Sequence, residues 1–153
     1  MTTPLTELNE IMEKLRHATG ASRTTLRIDW PRWGAHADDV IAEARGPEVA
    51  SLVGKTSIRQ REAETVKWLE RTKRVLVQED CAEATPSPPQ ALLDVYGVRA
   101  QMLAPLVIGD TVVGWISVHE KSTRQWTRRD VGALEDAVAS VTSALDEQAL
   151  DDR

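Results

Sequence analysis

Five side chains at predicted strand positions have the chemistry to bind a small molecule: Arg27, Gln101, Trp115, Ser117 and His119. A histidine titrates near neutral pH and can donate or accept a hydrogen bond. An arginine can hold an anion through two parallel hydrogen bonds, and an indole ring can pack on a flat or apolar part of a ligand. The set predicts a ligand site with apolar walls and a few placed polar groups.

Each of these residues also has a structural alternative. His119 could bond a backbone carbonyl at the end of its strand, and Arg27 could form a salt bridge with Asp29 or with a neighbouring strand. Trp115 could be an ordinary core residue, as could Trp68, which we otherwise expect to contact the ligand as part of a lid. The sequence leaves these alternatives open.

Metal and covalent chemistry have little support in the sequence. A lone cysteine, Cys81, excludes an internal disulfide and a cysteine-rich zinc site. The acidic residues around it raise the pKa of the thiol, which favours an unreactive side chain. We predict no metal and no cofactor. An enzyme would have to use His119 as general acid or base, with Arg27 holding an anionic substrate.

The composition bounds the class of protein. The chain has 153 residues, is 41% apolar and 28% charged, and carries a net charge of −5. These values predict one domain spanning residues 1–153, and the negative charge disfavours a nucleic-acid partner. No apolar run approaches the roughly 20 residues of a membrane-spanning helix, and the N-terminus lacks a signal-peptide pattern. We therefore expect a cytoplasmic protein with no membrane partner.

A helix is predicted at each end of the chain. The first covers residues 3–17, with Thr3 as its capping residue. The second covers residues 127–150, where Thr127 and Asp130 have capping-box spacing. Apolar residues along the second helix recur in steps of three and four, which is typical of a seam between helices. These seam residues are Val131, Leu134, Val138, Val141 and Leu145.

The middle of the chain reads as strands with short helices between them. The predicted strands cover residues 22–30, 39–45, 74–78, 98–107 and 111–119. The predicted helices cover residues 61–71 and 90–96. The segments without a predicted helix or strand are 46–58 and the proline-rich 83–89.

Strict alternation sorts the clearest strands into two faces. The apolar face holds Leu26, Ile28, Ala100, Met102, Ala104, Leu106, Val112, Gly114, Ile116 and Val118. The mixed face holds Thr25, Arg27, Asp29, Arg99, Gln101, Leu103, Pro105, Val113, Trp115, Ser117 and His119. We expect the terminal helices to cover the apolar face, and the middle segments to cover the mixed face and enclose a pocket.

Four segments together resemble the GAF domain family. They are TGASRTTLRID at 19–29, YGVRAQMLAPLVIGDTVVGWISVHE at 96–120, RQWTRRDVGALEDAV at 124–138 and RVLVQED at 74–80, and the resemblance covers about residues 5–148. It implies an α/β fold of the α+β type. In this fold a central antiparallel sheet has the terminal helices on one face and a ligand pocket under loops and short helices on the other. It also implies a homodimer formed through the terminal helices.

Members of the family bind cyclic nucleotides, bilins, haem, amino acids or aromatic effectors. The resemblance implies that His119 faces the pocket, as the matching histidine of bilin-binding members does. The cysteine–histidine pair of those members is absent, since Ala82 follows Cys81. A haem would have to use His17, His36 or His119. The single cysteine disfavours reduction of methionine sulfoxide, and a cyclic-nucleotide signature is not seen.

Three functions follow from this reading. The first is a sensory domain that binds a small organic ligand, anionic or aromatic, and signals through a dimer or a downstream protein partner. The second is a small enzyme that uses His119 and Arg27 on an anionic substrate. The third is a dimerisation module with no ligand.

Overall fold

The part of the chain that the computed structural model describes, residues 4–54 and 59–151, is built around a five-stranded antiparallel sheet. Its strands are β1 (Arg23–Ile28), β2 (Val40–Arg45), β3 (Leu76–Gln78), β4 (Ala100–Ile108) and β5 (Thr111–Glu120). Their spatial order is β2-β1-β5-β4-β3, so β5 is central and lies between β1 and β4. The three strands that carry the predicted polar site residues are therefore neighbours.

The described α-helices are α1 (Leu5–Thr19), α2 (Glu64–Thr72), α3 (Gln90–Asp94) and α4 (Arg128–Asp151). At the start of α4, Thr127 Oγ1 accepts a hydrogen bond from Asp130 N, and Asp130 Oδ2 accepts one from Thr127 N. This reciprocal pair is the predicted capping box. The predicted cap Thr3 lies outside the described residues. None of the described helices has the length and hydropathy needed to cross a membrane.

Helices α1 and α4 cover one face of the sheet, as predicted. Leu8, Met12 and Leu15 of α1 are buried in one core with Leu134 and Leu145 of α4. The sheet residues of that core are Leu26, Ile28, Ala42, Ala44, Met102, Ala104, Leu106, Ile116 and Val118. Each large aliphatic side chain buried here contributes roughly 1.5–3 kcal/mol to the free energy of folding. This core fixes which sheet face remains for the site.

An irregularity in β5 overturns part of the predicted alternation. Leu106 pairs with Gly114 and Val107 pairs with Val112, so β5 has one extra residue, Val113, at this point. Val112 therefore packs on the second face of the sheet, while Val113 packs against the core under the terminal helices. The expectation for these two valines was wrong, because a bulge shifts the side-chain alternation by one residue.

The second face is covered by α2 and the segments around it. Val66 and Leu69 of α2 are buried against Leu103 and Trp115 of the sheet. The predicted helix over 61–71 is in fact two pieces, because Ala63 is extended between a 3-10 turn at Gln60–Glu62 and α2. The predicted 90–96 helix is shorter, at Gln90–Asp94. These segments cover the mixed face and are called the roof of the site below.

Candidate functional site

A cavity of about 70 Å³ lies between the mixed face of the sheet and its roof. Five of the six predicted ligand contacts line it, namely Arg27, Gln101, Trp115, Ser117 and His119. The other lining residues are Thr25, Leu52, Gln60, Thr65, Val66, Pro89, Ala91, Leu92, Tyr96 and Leu103. Alternation on β1, β4 and β5 places the polar set on one side, and the roof supplies most of the apolar wall.

Trp68 does not line this cavity. It borders a shallow groove on the outside of α2 together with Pro86 of the proline-rich loop. Helical geometry explains the difference, because Val66 and Leu69 point to the sheet and successive residues are rotated by about 100°. Trp68 therefore points sideways and is half-buried. Trp68 therefore does not make the predicted lid contact at this cavity.

His119 is buried and bound on one side only. Its Nδ1 accepts a hydrogen bond from Arg23 Nε at 3.1 Å. Burial, followed by the charges of Arg23 and Arg27, lowers the pKa of His119 well below its usual value. The ring is therefore neutral at physiological pH, and because Nδ1 is the acceptor, the proton lies on Nε2. His119 is a fixed hydrogen-bond donor toward the cavity it lines.

Arg23 sets this tautomer and was not among the predicted site residues. Its Nη1 donates to Ala50 O at 2.8 Å, and its guanidinium lies 5.7 Å from the centre of the Tyr96 ring. Only 1% of the side chain is exposed, and burial lowers the pKa of the guanidinium. The sequence indicated Arg23 only through its position on the same strand face as Arg27, four residues away. Its contact with His119 joins residues that are 96 positions apart in the sequence.

Arg27 is not paired with Asp29. Its Nη1 donates to the carbonyl oxygens of Asp38 (2.6 Å) and Ala37 (3.4 Å). Burial lowers the pKa of the guanidinium, while the charges of Asp39 and Asp38 raise it. The predicted alternative of a salt bridge with Asp29 is therefore wrong, and Arg27 is a buried cation that lines the cavity.

The carboxylate of Asp29 instead binds Arg61, which lies in the roof. Arg61 Nη2 lies 2.6 Å from Asp29 Oδ2 and 3.0 Å from Val112 O, and Arg61 Nη1 lies 3.2 Å from Glu70. Burial alone would raise the pKa of Asp29, but the hydrogen bonds from Ala37 N–H and Arg61 outweigh it and lower that pKa. Arg61 thus joins the end of β1, strand β5 and helix α2.

Gln101 connects the cavity to the proline-rich loop. Its Nε2 donates to Gln78 Oε1 at 2.8 Å, and Gln78 Nε2 donates to Pro86 O at 2.6 Å. Gln101 itself lines the cavity. These two hydrogen bonds position the side-chain amide of Gln101 and connect the proline-rich loop to the sheet.

Trp115 serves both as core and as cavity wall. Only 2% of it is exposed, and it packs with Val66, Leu69 and Val112 while it also lines the cavity. The guanidinium of Arg61 lies 5.7 Å from its ring centre, a cation–π distance. Trp115 is therefore a core residue that also forms a wall of the cavity, and its contact with a ligand stays a prediction.

Other chemistries find no support among the described residues. No group of three or more His, Cys, Asp or Glu in residues 4–54 and 59–147 could hold a metal ion. Cys81 is buried and does not line the cavity. Burial, with a smaller effect of Asp80, raises the pKa of its thiol to about 11. The direction matches the sequence prediction, although burial is the larger cause.

Comparison with known proteins identifies the family to which this fold belongs. The family model described as the GAF domain matches residues 3–145. Among solved structures, the blue-light absorbing form of the Thermosynechococcus elongatus PixJ GAF domain is 17% identical, with a TM-score of 0.70 and coverage of 97% of this chain and 90% of that one. The phycocyanobilin-bound GAF domain of a cyanobacterial phytochrome is 18% identical, with a TM-score of 0.73 and coverage of 94% and 85%.

A third similar structure is the chromophore-binding domain of a bacteriophytochrome from R. palustris, at 18% identity and a TM-score of 0.73, with coverage of 95% of this chain and 55% of that one. The search of curated proteins returned no match. At these identities the structural likeness establishes the fold, and the family model covers nearly the whole chain. The chain belongs to the GAF domain family.

Proposed function

We propose that this protein is a sensory GAF domain that binds a small organic molecule in the cavity lined by Arg27 and His119. The observation that carries the proposal is the lining of the cavity: the side chains of Arg27 and His119 are both more than nine-tenths buried, and both line a cavity with largely apolar walls. Ligand sites in proteins typically combine apolar walls with a few such polar side chains, which fix the orientation of the ligand. A ligand is the natural complement.

The cavity volume limits the size of that ligand. Sites for drug-sized molecules have volumes of roughly 300–1,000 Å³, whereas this cavity has about 70 Å³. The similar structures described as phycocyanobilin-bound or chromophore-binding hold larger molecules. Because this cavity is small and Cys81 lies away from it, we propose a compact ligand rather than a bilin.

A short series of hydrogen bonds connects the strand ends beside the cavity to the terminal helices. Ser22 Oγ, next to Arg23, donates to Glu120 Oε1, next to His119. Glu120 also binds Arg124 at 3.0 Å, and Arg124 binds Asp130 of α4 and the carbonyl oxygen of Thr19 in α1. We propose that ligand binding shifts these helices and is read by a second copy of the chain or by a downstream partner.

Native mass spectrometry tests the proposal directly. The purified protein is measured folded and then denatured, and a mass excess lost on denaturation identifies a retained ligand. In parallel, a small-molecule panel is screened for a rise in melting temperature, because a ligand that binds only the folded state must stabilise it. A ligand that is converted to product would instead favour the enzyme that uses His119.

A matched pair of variants shows whether binding occurs in this cavity. Ser117→Leu places a larger apolar side chain in it and should abolish the thermal shift. Ser122→Leu makes the same change at an exposed position outside it and should leave the shift intact. No retained mass and no shift with any compound would contradict the proposal and favour a dimerisation module.

A further inference from the structure

One edge of the Arg27 guanidinium has no protein acceptor. Its Nη1 hydrogens are used by the carbonyl oxygens of Ala37 and Asp38. In the described part of the chain, nothing accepts from Nε–H or from the two Nη2 hydrogens, although only 7% of the residue is exposed. These hydrogens form the planar fork that binds a carboxylate through two parallel bonds.

The charge balance around the cavity points in the same direction. Arg27 is the only charged side chain among the lining residues, and none of them is acidic. The charges of Asp39 and Asp38 act on Arg27, and the charge of Glu43 acts on Arg23, but none of these three carboxylates lines the cavity. Residues 55–58 contain no Asp or Glu. A buried cation at a cavity with no acidic residue in its described lining is complemented by an anion placed in that cavity.

His119 adds a donor that holds no charge. Arg23 occupies Nδ1, so Nε2–H is the atom that can reach a ligand. Ser117 and Thr25 bring hydroxyl groups to the same floor of the cavity. A carboxylate at this place would accept from Arg27 on one side and from His119 on the other, with a hydroxyl as a third donor.

We propose that the ligand is a small organic monocarboxylate, held by the Nε–Nη2 edge of Arg27 and by His119 Nε2–H, with its apolar body against Val66, Leu92 and Leu103. The inference rests on the function proposed above. Because Arg27 is the one charged side chain among the described lining residues, a single negative charge is favoured, since a buried dianion would leave a second charge unbalanced. The apolar wall favours an acid with a hydrocarbon body over inorganic phosphate.

Charge-matched probes test the ligand class. Propionate is compared with propionamide, and benzoate with benzamide, by isothermal titration calorimetry, with inorganic phosphate as a further arm. Each acid and amide share nearly the same shape, so a difference in affinity reports the charge. We expect each acid to bind about 10- to 100-fold more tightly than its amide, the range expected for a charge-assisted hydrogen bond.

Arginine variants locate the effect. Arg27→Gln should weaken the acids about 10- to 100-fold and change the amides little, and Arg27→Lys should restore part of the loss, since a lysine keeps the charge without the planar fork. Arg59→Gln removes the same charge from a side chain that is 82% exposed, and should leave both affinities within about twofold, as expected of a screened surface charge. Circular dichroism confirms that each variant is folded.

The outcomes separate this inference from the proposed function. Binding of the amides as tightly as the acids, or tighter binding of phosphate, would overturn the ligand class while a binding domain remained. An unchanged preference for acids in Arg27→Gln would overturn the assignment to Arg27. A complete lack of binding, together with no retained mass in the native spectrum, would remove the proposed function and the inference with it.

Discussion

At the scale of single residues, the site depends on a neutral histidine that is bound by Arg23 and affected by the charge of Arg27. An imidazole beside two guanidinium groups gains nothing from protonation, and burial further penalises its charged form, so the pKa of His119 is lowered. Arg23 occupies Nδ1 and is itself positioned by Ala50 O and the ring of Tyr96. The same contacts that keep His119 uncharged direct its remaining hydrogen to the cavity.

Replacement of His119 should change how stability depends on pH. In the unfolded chain this histidine titrates near its usual value of about 6.5, whereas in the folded protein its pKa is lower. Between the two values the unfolded state binds more protons, so the free energy of unfolding falls as pH falls below about 6.5. His119→Asn removes this loss, so its stability should decline less steeply between pH 7 and 5, by up to about 1.4 kcal/mol per pH unit.

Urea unfolding at several pH values measures these slopes. His17→Asn is the control, because it removes a histidine that is exposed on α1. Its slope should match that of the unaltered protein. Equal slopes for His119→Asn and the unaltered protein would contradict the claim that His119 is neutral in the folded state.

At the scale of elements, the site depends on how closely β5 approaches β1. Gly114 of β5 lies opposite Ile28, one residue beyond the extra residue Val113. A Cβ placed on Gly114 would lie 2.2 Å from Arg27 O and 2.7 Å from Ile28 Cα. Both are backbone atoms, so a larger residue would push apart the strands that carry Arg27 and Trp115.

We therefore expect Gly114→Ala to lower the free energy of unfolding by about 1–3 kcal/mol, the range seen for overpacked interiors. Gly132→Ala is the matched control, since a Cβ at this position of α4 meets no atom within 4 Å. It should instead raise stability by about 0.5–1 kcal/mol, because alanine has the better helix propensity. Chemical denaturation measures both, and a neutral Gly114→Ala would contradict the close approach.

At the scale of the whole molecule, the two sheet faces have different tasks. The terminal helices bury one face and leave a small apolar groove of about 80 Å³ between them, lined in part by Ala18 of α1 and Ala133 of α4. The other face holds the cavity. Glu120 and Arg124 connect the strand end beside His119 to both helices. This arrangement is what a sensor needs, because a ligand on one face can then alter a surface on the other.

If that groove is the dimer interface, a charge placed in it should separate the subunits. Ala18→Glu adds a carboxylate to an exposed lining position and should raise the dimer dissociation constant at least about tenfold, since burying an unpaired charge costs several kcal/mol. Ala139→Glu adds the same charge at an exposed position of α4 outside the groove and should have little effect. Light scattering across a concentration series reads both, and a monomer in every sample would contradict the dimer.

The sequence by itself determined the elements, the two sheet faces and five of the residues that line the cavity. These follow from local rules: a period of two sorts a strand, and Thr127 with Asp130 caps a helix three residues apart. The same local rules failed at Val112, where one extra residue reversed the alternation, and at Trp68, where one step of helical rotation turned the ring away from the cavity.

Only the tertiary structure decided which groups meet across the sheet. Arg23 reaches His119 over 96 residues of chain, and Asp29 binds Arg61 of the roof instead of Arg27. Such pairings depend on strand order and register, which the core under α1 and α4 fixes through burial of apolar surface. Types and spacing of residues predicted a polar set on one face; the tertiary contacts made it a cavity with a buried cation in its lining.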